Sequence, residues 1–512
     1  MIYWKLAIFF LAMSGFANPQ ILIAEDPVAV RIQVNDEDQR QLPCRIHLRD
    51  SGGNPVRAEK LPFWRDHFVC DGRVDLTLPG GNYHIEIERG PEYARQVKDL
   101  TISGKKREVF EFKLPRLTHL REAGWYSGDM HVHRPVDEVP LLMKAEDLDF
   151  APTITWWNAR NPWTDHPVPS DVERTVDGKR IYTVMAGEDE REGGALLFFG
   201  LEKPIDITSE SREFPSPMKF VNAAHVQNPH VWIDIEKPFW WDVATWLASG
   251  QMDSIGLANN HMCRSQMYEN EAWGRPRDVN RLPNPRGNGM WTQEIYYHIL
   301  NSGIRISPSA GSASGVLPNP VGYNRIYAHL DGPLTSQSWF EAVRGGRTFV
   351  TNGPLLVVRA NSELPGTAFK LNDSGKLDIE FSVALSSNDI VPKLEVISQG
   401  KVIKEVECSR EPSQDFTFAI SIDQPGWFLV RAVTDVEHTY RFASTAPWFV
   451  ESVTGEIPIH KSSARFFKNW VEERIDRVRA NLSDADQLRA ILEPHEAALV
   501  FWTERQQQAV VD

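Results

Sequence analysis

The chain is poor in cysteine, with four in 512 residues and none in a C-x-x-C pair. That excludes a cysteine-built zinc site and a disulfide scaffold as the basis of the fold. Cys44 and Cys70 fall in one β-patterned stretch and could pair, whereas Cys263 and Cys408 are far apart and read as free. Long basic runs are also missing, and the net charge is −14. Such a balance argues against nucleic acid as a partner and leaves no polybasic patch for a membrane surface. Past residue 20, no apolar run reaches the roughly 20 residues that a membrane-spanning helix needs. Internal repeats and low-complexity segments are absent as well.

The first 20 residues stand apart. Lys5 precedes an apolar run, and Ser14-Gly15-Phe16-Ala17 follows with small residues. This is the pattern of a secretory signal over residues 1–17. The expectation is export to a periplasmic or extracellular space, with no membrane span after cleavage. Uncleaved anchoring is the alternative.

Hydrophobic residues at 42% and charged residues at 24% fit a folded globular chain long enough for several cores. Residues 27–118 alternate at period two, as in Val28-Ala29-Val30-Arg31-Ile32-Gln33-Val34, and predict a β-sandwich module. The turn Leu78-Pro79-Gly80-Gly81-Asn82-Tyr83 resembles small extracellular β modules of the carboxypeptidase regulatory type. Residues 119–354 alternate strand-like and helix-like runs, the mark of an α/β unit. Residues 355–455 return to β alternation and predict a second sandwich. Residues 456–512 predict a helical tail. In the tail, Ser483 and Asp486 read as a capping box and Pro494 as a helix break.

Chemistry concentrates in the α/β stretch. In Gly128-Asp129-Met130-His131-Val132-His133, two imidazoles at i and i+2 share one face of an extended segment. Imidazole suits Zn, Mn or Fe, and two such ligands make half of a four-coordinate site. Further strand-like runs end in Glu188, in Asp234 with Glu236, and in His261. Polar groups at the carboxyl ends of successive parallel strands are where a β/α barrel carries its site.

At G-D-M-H-V-H the chain resembles the PHP (polymerase and histidinol phosphatase) superfamily, in particular its secreted carbaryl-hydrolase-like metallohydrolase branch. The resemblance covers residues 119–354. It implies a distorted β/α barrel, flanked here by the two small β-sandwich domains and the helical tail, and hydrolysis of phosphoesters or of carboxyl or carbamate esters. His131 and His133 match the first motif, Glu188 the bridging glutamate and His261 a later histidine ligand, and Glu236 offers a further carboxylate. The chain departs from the family at Thr155-Trp156-Trp157-Asn158, where T-D-H-N is usual. It departs again at Gly311-Ser312-Ala313-Ser314-Gly315, where G-S-D-x-H is usual. The surviving set implies one or two divalent ions (Zn, Mn or Fe) rather than three. Asp234 or Asp129 is then the candidate base, and Arg264 or Lys237 the holder of a substrate anion. Trp156, Trp157, Trp240 and Trp241 are the candidate pocket walls. A second class of function stays open: a catalytically degenerate barrel that binds a small molecule or glycan on the tryptophans that replace the D-H pair.

Overall fold

The computed structural model describes residues 27–512 except 105, 159 and 210, so the expected signal segment, 1–17, lies outside the described residues. Among these residues strands prevail, with twenty-seven against seven α-helices. The period-two pattern of the N-terminal stretch is realised as alternating burial, for example along Val28–Asn35 and Arg73–Leu78. A three-stranded and a five-stranded sheet face each other over Ile32, Val34, Ile46 and Ile85. Each such side chain, fully buried, stabilises by about 1.5–3 kcal/mol. Cys44 and Cys70 sit opposite one another in this core as free thiols, with sulfurs 3.9 Å apart.

The expected β/α barrel is not what forms. The central strands belong to one sixteen-stranded sheet that stays open, with Ser307–Ala310 at one end of its path and Lys401–Glu407 at the other. Parallel pairing joins Phe150–Trp157 to Arg180–Arg191, but Gly194–Phe199 pairs antiparallel with both Arg180–Arg191 and Trp232–Ile235. The cause is local. Only Glu192 and Gly193 separate Arg191 from Gly194, and a two-residue connection makes a hairpin, not a crossover helix. On the far side Trp125–Gly128, Arg325–His329 and Thr348–Thr351 are again antiparallel neighbours.

The sheet then crosses the expected boundary at 354. Thr348–Thr351 pairs with Phe442–Thr445 and so joins the central unit to the C-terminal β stretch. A separate three-stranded sheet, Leu355–Ala360, Leu377–Ser386 and Ser413–Ile422, covers that stretch over Phe381, Phe428 and Trp448. The tail is two helices, Lys461–Asn481 and Ala485–Gln508. The second is capped by Asp484, which accepts from the N–H groups of Asp486 and Gln487, in place of the expected box from Ser483. It also runs through Pro494 without a break. Burial of Ile491, Leu492 and Trp502 in the central core, with the His495 Nδ1–Thr245 Oγ1 hydrogen bond at 2.7 Å, offsets the proline's cost of about 3 kcal/mol.

Candidate metal centre

After Trp125–Gly128 the chain stays extended through His131-Val132-His133, tied by parallel bridges from Val132 to Thr153 and Ser314. Alternation sends Val132 into an apolar cluster with Leu142, Met143 and Val184 and leaves both imidazoles on the other side. Glu188 arrives from Arg180–Arg191, opposite Trp157 of the neighbouring strand. The two Nε2 atoms lie 2.9 Å apart, and Glu188 Oε2 lies 3.1 Å from that of His133 and 3.6 Å from that of His131. Metal bonds of about 2.0–2.2 Å at tetrahedral angles separate ligand atoms by roughly 3.3–3.6 Å. The triangle therefore has the size of one face of a coordination tetrahedron, and all three residues are buried.

Behind this triangle stands a second carboxylate. Glu236 follows Trp232–Ile235 directly, and its Oε1 faces His131 Nδ1 at 3.4 Å. Lys237 Nζ and Asn260 Nδ2 donate to Oε1 at 2.5 Å each, and Trp240 Nε1 donates to Oε2 at 3.0 Å. A carboxylate behind Nδ1 keeps the ring proton there and leaves the Nε2 lone pair free. Burial opposes a charge on His131, but Glu188 and then Glu236 outweigh it and raise its pKa. At His133 burial prevails and the pKa falls. Burial alone would lift Glu188, yet His131 and His133 hold it well below the usual carboxylate range. The pocket thus favours a positive charge beside Glu188.

The other expected site residues divide. Lys237 reaches the site because the strand has ended at Ile235, and its ammonium also sits 4.6 Å over the Trp240 ring. Trp157 stands edge-on to His133 at 4.9 Å. Trp156 is core, stacked on Phe198 and bonded to Met185 O. Trp241 is buried with Arg477 of the tail over its ring. His261 is packed between Phe239 and Tyr268 with Nδ1 unbonded, and lies outside the converging triangle. Burial, then Lys237, pushes its pKa well down. Asp129 serves as a brace: Oδ1 accepts from the N–H groups of His131 and Ser312 at 3.0 Å, and Oδ2 from Gly322 at 2.7 Å. Asp234 lies among the hydroxyls of Ser254 and Ser309, and burial pushes it up to about 7. Arg264 turns away to Glu86 and Glu88 of the N-terminal module.

Two contributors escaped the sequence reading. Asn260 holds Glu236. Glu190, two residues beyond Glu188 and so on the same face, keeps 39% of its side chain exposed. Burial, then the charges of Glu188 and Glu236, pushes it up to about 7. The i, i+2 rule that picked out the histidines would also have found it.

A second His–carboxylate cluster lies in the N-terminal module. His47 Nδ1 and His67 Nδ1 face the two oxygens of Asp66 at 3.2 and 3.0 Å. Arg49 adds a contact to Asp66 at 2.9 Å, and Arg45 Nε donates to His47 Nε2 at 3.0 Å.

No family model matches the chain, and no curated protein matches it. Among solved structures, the fibronectin(III)-like modules of CbhA from Clostridium thermocellum are similar over 19% of this chain and 97% of theirs, at 24% identity and a TM-score of 0.14. The TIE protein of Bacillus anthracis is similar over 84% of this chain and 51% of its own, at 9% identity and a TM-score of 0.14. Both TM-scores are too low to assign a fold or an activity.

Proposed function

We propose that this chain is an exported, metal-dependent hydrolase of phosphoesters or of carboxyl or carbamate esters. The observation that carries the reading is the convergence of His131 Nε2, His133 Nε2 and Glu188 Oε2 on one buried point. The reading keeps the resemblance of the H-x-H motif to PHP metallohydrolases and does without their barrel. One or two Zn, Mn or Fe ions would supply a Lewis acid and a water acidified from about 15.7 to about 7. His131, His133 and Glu188 would hold the ion. Glu236 fixes the tautomer of His131, and Lys237 and Asn260 hold Glu236 in place. Trp157 walls the His133 side. Glu190 is the partly exposed carboxylate on the ligand face, placed to pass a proton between the site and solvent.

The binding-protein alternative needs open aromatic faces. Trp156, Trp240 and Trp241 are buried, which favours the hydrolase. The test is hydrolysis of p-nitrophenyl phosphate and p-nitrophenyl acetate by chelated protein, before and after Zn, Mn or Fe is restored. Hydrolysis of either substrate that returns with metal supports the reading. Glycan binding without metal-stimulated hydrolysis of either would replace it.

A further inference from the structure

We propose that the cavity where the N-terminal, central and C-terminal units meet binds a small oxyanion of phosphate or sulfate size. The cavity measures about 60 Å³ and shares no residue with the metal triangle. A single water needs about 10–15 Å³ measured this way, so the space holds several waters or one tetrahedral anion.

The lining carries the argument. Five arginines reach it: Arg45 and Arg95 from the first unit, Arg264 and Arg325 from the second, and Arg441 from the third. Three carboxylates answer them: Glu88, Glu146 and Asp389. Each is already engaged. Arg45 and Arg264 hold Glu88, Arg45 holds Glu146, and Arg95 and Arg441 share Asp389. Glu86, outside the lining, takes Arg264 at 2.5 Å.

Arg325 is left over. It is 1% exposed, its Nε and Nη2 donate to the carbonyls of Gly322 and Glu146, and no carboxylate among the described residues pairs with it. A buried charge with no carboxylate at ion-pair distance is costly, and Glu146 acts on Arg325 only from farther off. An anion in the cavity reduces that cost. Two further donors in the lining, Arg441 Nε and Tyr323 Oη, are buried without a hydrogen bond of good geometry, and the two side chains lie close enough to interact with each other. Gly90 and Gly322 give the Arg325 guanidinium its space, since a Cβ at either would come within 3.0 and 2.8 Å of its nitrogens. A tetrahedral oxyanion spreads separate acceptor oxygens over a wider span than a single chloride ion and so can meet donors that converge from three units.

The experiment uses the full chain. Equilibrium dialysis with radiolabelled inorganic phosphate should give about one ion bound per chain, competed by sulfate and not by sodium chloride at matched ionic strength. Thermal unfolding should shift upward and saturate over the same concentrations. Tyr323→Phe, which removes one hydroxyl and no charge, should weaken binding several-fold, and Arg325→Met should abolish it. If Arg325→Met fails to fold, Tyr323→Phe decides alone. No bound phosphate, a thermal shift equal in all salts, or undiminished binding in Tyr323→Phe would each overturn the proposal and leave water as the occupant.

Discussion

In the central site His131 and His133 turn their Nε2 atoms toward Glu188, and a second carboxylate, Glu236, stands behind Nδ1 of His131. In the N-terminal module His47 and His67 turn their Nδ1 atoms toward Asp66, and an arginine stands behind Nε2 of His47. The donor sets are nearly the same, and what lies behind the rings reverses their meaning. A carboxylate behind the ring draws the proton away from the converging side. The Arg45 N–H instead occupies the Nε2 lone pair, so the proton of neutral His47 sits on Nδ1, where a metal would need a lone pair. Asp66 accepts from His67 and from Arg49 and faces His47 Nδ1 at 3.2 Å, and burial pushes His47 down to about 3 and His67 to about 4, so both stay neutral. On the proposed function one cluster holds a cation and the other is a hydrogen-bonded brace. Spacing alone does not separate them.

The comparison breaks most visibly in activity. His131→Ala with His133→Ala should lower metal-stimulated hydrolysis at least about 1000-fold, because no ion remains to acidify water. His47→Ala with His67→Ala should leave the rate of the folded fraction within about twofold. A large loss of turnover in the second variant, with the fold intact by circular dichroism, would remove the distinction.

Glu236→Gln sharpens the part played by the group behind the ring. Losing such a partner weakens metal affinity by about 10–100-fold. Competition with a chromophoric chelator measures this, and unchanged affinity would show that Glu236 does not set the His131 tautomer.

Acid should act on the brace. His47 and His67 take up protons at about 6.5 when unfolded but only near 3 and 4 when folded. Their contribution is therefore fully present above pH 6.5 and is lost as pH falls toward those values, up to about 2 kcal/mol each at pH 5. Denaturant unfolding at pH 7.5 and pH 5 should show a smaller difference in His67→Gln than in the unaltered chain. The smallest effect belongs to Trp241→Phe, which faces the tail and should change hydrolysis less than about twofold.

Much of the site was legible because it rests on period two. That rule placed His131 and His133 on one face and would have added Glu190. The open sheet was not legible from strand-and-helix alternation. Its decisive feature is the two-residue link at Glu192-Gly193, which turns one expected crossover into a hairpin. Pairing of Thr348–Thr351 with Phe442–Thr445 brings together residues almost a hundred positions apart, and no local pattern announces it. The burial of Trp156 and Trp241, and the departure of Arg264 to Glu86 and Glu88, likewise depend on partners distant in sequence.

The most direct test is elemental analysis of the purified protein, with the His131→Ala/His133→Ala and His47→Ala/His67→Ala variants beside it. The account predicts one or two transition-metal ions per chain in the unaltered protein and in the His47/His67 variant, and almost none in the His131/His133 variant. No bound metal in any of them after incubation with Zn, Mn or Fe, or metal lost only with His47 and His67, would contradict it.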